Sequence, residues 1–149
     1  MKNNYIRFKV YPVKGSKEYY NILIFKNRKY MESFSKEILN SNVSYKYDAA
    51  THSYQSYKLV KGEKIQQPNI GCIIFYEGGF GYGIVSHEIA HAINYLFLRY
   101  KIKFDIGGKR DKNWIEKDEA YAMSLGYMVK QFWDKYNKTV GKKKLYERY

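Results

Sequence analysis

The chain has 149 residues, 45% of them hydrophobic and 28% charged, and carries a formal net charge of +13. That length suits one ordinary domain with its own core, and the composition is close to the soluble globular average, so no second domain is needed. A single cysteine, Cys72, allows no internal disulfide, and no stretch reads as a secretory leader or a membrane span; the expectation is a cytoplasmic protein without membrane contact.

In chain order, alternating stretches at Tyr5 to Val10 and Tyr20 to Phe25, joined by a Pro-Val-Lys-Gly turn signal, predict an antiparallel hairpin. From Arg28 to Leu39, Tyr30, Met31, Phe34, Ile38 and Leu39 recur at three- and four-residue steps, which predicts a helix stopped by Asn40, Ser41 and Asn42. Between Tyr45 and Gln67 the pattern is polar and tyrosine-rich, compatible with one or two short strands of unassigned register, and His52 reads there as a surface histidine. Asn69 to Glu77 is a strand whose apolar run buries Cys72 as an inert thiol. Gly78, Gly79, Gly81 and Gly83 follow; without the lysine and Ser/Thr of a phosphate-binding loop they read as a tight strand-to-helix turn. A helix from Ile84 to about Tyr100 presents Val85, Ile89, Ala92, Ile93, Leu96 and Phe97 as an apolar face. After a turn at Gly107 and Gly108, a second long helix runs from about Asn113 to Tyr136. The sum is an α+β chain: a small antiparallel or mixed sheet packed on these two helices.

The first of them contains Ser86-His87-Glu88-Ile89-Ala90-His91, an HExxH pattern. On a helix, His87 and His91 lie one turn apart on one face, able to bind one metal ion at about 2.0 to 2.1 Å each. Glu88, turned by about 100°, borders the site without being forced into the coordination sphere. That is where a general base belongs if it is to take a proton from a water activated by the metal. Two imidazoles and one carboxylate suit Zn2+, and a catalytic zinc needs a third protein ligand. No histidine follows His91. Of the downstream acidic residues, Glu119 has Ala122, Met123 and Gly126 as its small or apolar neighbours, which predicts an inward face; Glu116, one turn earlier, is the alternative, and Asp118 points elsewhere.

HEIAHA, followed by Asp118-Glu119-Ala120-Tyr121-Ala122 and Leu125-Gly126-Tyr127, resembles the small zincin-like metallopeptidases with a glutamate third ligand, of the phage and mobile-element type and distantly ImmA/IrrE-like. The resemblance covers about 71–129. It implies that residues 1–149 form one minimal zincin-like domain that hydrolyses peptide or protein substrates, with His87, His91 and Glu119 as zinc ligands and Glu88 as catalytic base. The acidic residue that larger members carry shortly after the glutamate ligand is replaced by Met123 and Ser124, which leaves Asp105, Asp111 or a backbone carbonyl to orient a histidine. The resemblance also puts the strand ending near Tyr76 at the sheet edge beside the cleft. Tyr95 and Tyr121 are the candidate oxyanion donors.

The positive charge, densest at Lys138, Lys142, Lys143, Lys144 and Arg148, favours an acidic substrate or partner. Eighteen tyrosines could stack on bases, yet no RNA-recognition signature accompanies them, and nucleic acid is the less favoured partner. The alternative to a peptidase is a zinc-stabilised, non-catalytic binding or regulatory module that engages nucleic acid or an acidic protein through this basic surface.

Overall fold

The computed structural model describes residues 4–38, 48–100 and 112–140, with side chains from residue 117 onward in the last segment. Strands β1 (Tyr5–Val10) and β2 (Tyr19–Phe25) precede helix α1 (Arg28–Glu37). Strands β3 (Ala49–Ser53), β4 (Tyr57–Val60), β5 (Glu63–Gln66) and β6 (Asn69–Tyr76) lead into helices α2 (Tyr82–Arg99) and α3 (Lys112–Val140). The helix stop at residues 40–42, the Gly107–Gly108 turn and the basic run from Lys142 lie outside the described residues.

The described residues form an α+β fold with a mixed four-stranded sheet, order β1-β2-β6-β3, and a separate β4–β5 hairpin. β1 and β2 pair antiparallel, as their alternation predicts, β2 and β6 parallel, and β6 and β3 antiparallel. β6 reads Ile70-Gly71-Cys72-Ile73-Ile74-Phe75 because both its faces are covered, and every one of these residues is buried. It therefore lies inside the sheet, and the edge expected at Tyr76 belongs to β3 instead. The polar stretch from residue 48 holds three strands, more than its composition suggests. β4 and β5 are exposed along their whole length and turn at Lys61 and Gly62, both at positive φ, the geometry of a tight two-residue hairpin.

Helices cover the sheet on both sides. On one side α1, capped by the Asn27 side chain at Tyr30 N (3.1 Å), packs Met31 and Phe34 against Leu23, Phe25, Cys72 and Ile74. On the other, α2 and α3 bury Val85, Ile89, Ile93, Met128 and Phe132 against Ile22, Ile24, Ile73 and Phe75. Phe132 makes edge contacts with Phe8, Phe75 and Phe80, so truncating it to Ala would cost ~3–5 kcal/mol. α3 also grips the sheet rim: the Gln131 amide accepts from Tyr11 N (3.0 Å) and donates to Tyr11 O (2.8 Å), satisfying the backbone of the residue just past β1.

Gly71 sets the spacing at the other end of the sheet. A Cβ there would stand 2.3 Å from His52 O and 2.6 Å from the Tyr20 ring. The absent side chain lets Tyr20 lie flat across β6, where its hydroxyl donates to Ala92 O (3.2 Å) and meets Ser53 Oγ (2.8 Å). One buried tyrosine thus ties β2, the edge strand β3 and α2 together. Its phenol is pushed up to about 12 by that burial, so it remains a neutral donor. No helix among the described residues is long and apolar enough to cross a membrane.

Candidate metal and hydrolysis site

α2 starts without a side-chain cap, from Gly81 in extended conformation, after a turn in which Gly78 takes φ 83° and Gly79 N bonds Tyr76 O (3.0 Å). The glycine run is therefore the strand-to-helix turn its sequence suggests. Entering this way, α2 buries Val85, Glu88, Ile89, Ala92, Ile93 and Phe97 and leaves His87 and His91 exposed. Glu88 is the one charged residue in that buried set.

The two imidazoles meet. Their rings are 4.6 Å apart and nearly perpendicular, and His87 Nε2 lies 3.0 Å from His91 Nε2. Two ligands at about 2.0 to 2.1 Å in a tetrahedral shell stand roughly 3.3 Å apart, so this pair fits two positions of a zinc site with only a few tenths of an ångström of adjustment.

Glu88 turns away from the pair toward the edge strand. Thr51 Oγ1 lies 2.7 Å from its carboxylate Oε2 and 2.8 Å from its carbonyl oxygen. The carboxylate nevertheless reaches a cleft of about 610 Å³ lined by Ala49, Thr51, Ser53, His87, His91 and Tyr95. One wall is thus β3 and the other the HExxH helix. Thr51 and Ser53 are functional candidates that the sequence does not single out. Their only signal is the alternation of Ala49, Thr51 and Ser53 against Ala50, His52 and Tyr54, legible once the register with β6 is known.

Among the described residues no third ligand joins the two histidines. Glu119 is exposed on α3, and so are Ala122, Met123 (71%) and Gly126, the residues whose character predicts an inward face for it. The inward stripe of α3 is instead Tyr121, Ser124, Leu125, Met128 and Phe132. Among the described residues no group of three His, Cys, Asp or Glu side chains gathers to hold a metal ion. The Glu116 side chain, Asp105 and Asp111 lie outside the described residues. Of the two candidate oxyanion donors, Tyr95 lines the cleft, whereas Tyr121 packs on Phe97 and donates to Ala90 O (3.4 Å).

His52 is not the surface histidine its sequence surroundings suggest. It is half-buried on the α1 side of β3, its Nε2 finds no hydrogen-bond partner among the described residues, and burial lowers its pKa. Cys72, opposite it across the β3–β6 register, is buried with its thiol pushed up to about 12 by desolvation, the inert state expected of it. Comparison with protein-family models, curated proteins and solved structures found no match for this chain.

Proposed function

We propose that this protein is a zinc-dependent peptidase of the HExxH type, acting on an extended peptide or protein segment. The observation that carries the reading is the convergence of His87 and His91 Nε2 to 3.0 Å beside a buried glutamate at the mouth of a cleft walled by an edge strand. A zinc ion held by the two histidines would polarise the scissile carbonyl and make a water ligand acidic enough to attack near neutral pH. The reading assigns the third ligand position to Glu119, with Glu116 as the alternative.

The remaining work falls to the chain's own side chains. β3 is the edge strand of the four-stranded sheet that walls the cleft, so its backbone N–H and C=O groups can pair with an extended substrate and carry a peptide bond past Glu88. Glu88 takes the proton of the attacking water and returns it to the leaving amine. Thr51 serves both of its charge states: its hydroxyl donates to the ionised carboxylate, and when Glu88 is protonated the hydroxyl keeps its place by donating to the Glu88 carbonyl while Glu88 retains the proton. The carboxylate is thereby held in place through the whole transfer. Tyr95 lines the cleft and supplies a hydroxyl for the developing oxyanion.

The decisive experiment joins elemental analysis of the purified protein to cleavage of a quenched-fluorescence peptide library. About one zinc per chain is expected in wild type and in Glu88→Gln, and none in His91→Ala; loss of zinc in Glu119→Ala assigns the third ligand, and retention there moves it to Glu116. Hydrolysis should fall ~10²–10⁴-fold in Glu88→Gln. Wild-type turnover in that variant would end the reading.

A further inference from the structure

A second depression, of about 660 Å³, lies where the β1–β2 connection meets the end of β5, and shares no lining residue with the HExxH cleft. Lys9, Tyr11, Lys17, Tyr19 and Gln66 line it. Tyr11 and Tyr19 form an edge-on pair with centroids 5.9 Å apart, and the Lys9 ammonium sits 4.2 Å from the Tyr19 ring centroid. Its one carboxylate, Glu18, is turned to Arg99 (3.3 Å) and receives the Tyr100 hydroxyl, so it does not neutralise the lysines.

The surface continues onto the β4–β5 hairpin. The pairs Tyr57↔Gln66 and Leu59↔Lys64 place Tyr57, Leu59, Lys64 and Gln66 on one face, the face that reaches the groove through Gln66. Tyr57 is 51% and Leu59 69% exposed, and among the described residues Lys64 forms no salt bridge. Uncompensated ammonium groups interleaved with accessible tyrosine rings are what a flexible polyanion with flat bases requires: phosphates meet the lysines and bases stack on the rings. An acidic peptide would use the charges and leave the rings idle. A regular duplex would keep its bases stacked on one another and out of reach.

We propose that this groove and the adjoining hairpin face bind single-stranded nucleic acid, with Lys9, Lys17 and Lys64 on the backbone and Tyr57 as a stacking platform. The test uses the full chain and a fluorescein-labelled oligothymidine, read by anisotropy at several salt concentrations. Replacing the three lysines together by Gln should weaken binding at least tenfold and lower the salt slope by about 2, since each backbone contact contributes roughly 0.7 on a single strand. Tyr57→Ala should weaken it about fivefold or more with little change in that slope. Lys26, Lys29 and Lys36 lie on or just before α1 and line neither the groove nor the hairpin, and their joint replacement by Gln makes an equal change in net charge. An equal loss in that control would show diffuse attraction and overturn the proposal. So would duplex DNA of the same length binding as tightly, or polyglutamate or anionic vesicles displacing the oligonucleotide as readily as unlabelled oligothymidine does.

Discussion

Strand β3 presents reactive side chains to both sides of the sheet, and only one side makes a site of them. Toward α1, His52 stands opposite Cys72, a pairing that on paper could activate a thiol. Burial works against it from both ends, because desolvation raises the thiol to about 12 and lowers the imidazole, so both stay neutral. Toward α2, the neighbouring Thr51 meets Glu88 where the sheet edge opens into a cleft that also reaches His87 and His91. The same two residues of backbone separate a sealed layer from an equipped one. Access to solvent and substrate makes the difference, more than residue type does.

Substitutions can reverse or sharpen that contrast. The largest effect belongs to the pair Glu88→Gln and Cys72→Ala: the first should remove hydrolysis by ~10²–10⁴-fold while the second leaves kcat within about twofold, and a severe loss in Cys72→Ala would put the chemistry on the wrong side of the sheet. Thr51→Val should lower kcat about tenfold and, by leaving a buried carboxylate short of a hydrogen bond, cost ~1–3 kcal/mol in a urea titration. Thr51→Ser should restore both, and failure of that rescue would mean the methyl group, and not the hydroxyl, matters. Alkylation of native Cys72 by iodoacetamide at pH 8 should be limited by unfolding, with labelling rising to free-thiol rates only in denaturant; rapid labelling of the folded protein would show that the α1 layer opens. The smallest effect concerns His52. Its folded pKa lies below the unfolded value, so acid protonates the unfolded chain first and stability falls as pH drops below about 6.5. His52→Asn should flatten that part of the fall between pH 7.5 and 5.5; an unchanged slope would assign it to other groups.

Long periodic segments are legible in the amino-acid pattern alone. β1, β2, β6 and the three helices all lie where alternation, three-four spacing or an unbroken apolar run puts them, because each buries a recognisable face. β3 is not legible in this way, since an edge strand covered by one helix and a cleft mixes Thr51, His52 and Ser53 without apolar alternation. β6 is recognisable as a strand, but it lies inside the sheet and not at the expected edge: its continuous run of apolar residues is the mark of an interior strand, a better guide than its nearness to the HExxH helix. The His87–Glu88–His91 phase is dictated by helical geometry and the structure reproduces it, Glu88 inward and the imidazoles together. Glu119 shows where such logic runs out. Its small and apolar neighbours suggest burial, but α3 spends its burial on the stripe through Tyr121, Met128 and Phe132, and the short residues Ala122 and Gly126 simply face outward.

The Gln131 side chain, by occupying the donor and acceptor of Tyr11, ties α3 to the chain just past β1 at the far rim of the sheet. At the opposite rim β3 faces a cleft that an extended chain can enter. Two copies that meet at β3 would pair about a two-fold axis and close that rim, and the cleft beside it, in both. Self-association through β3 should therefore compete with any peptide that occupies the cleft.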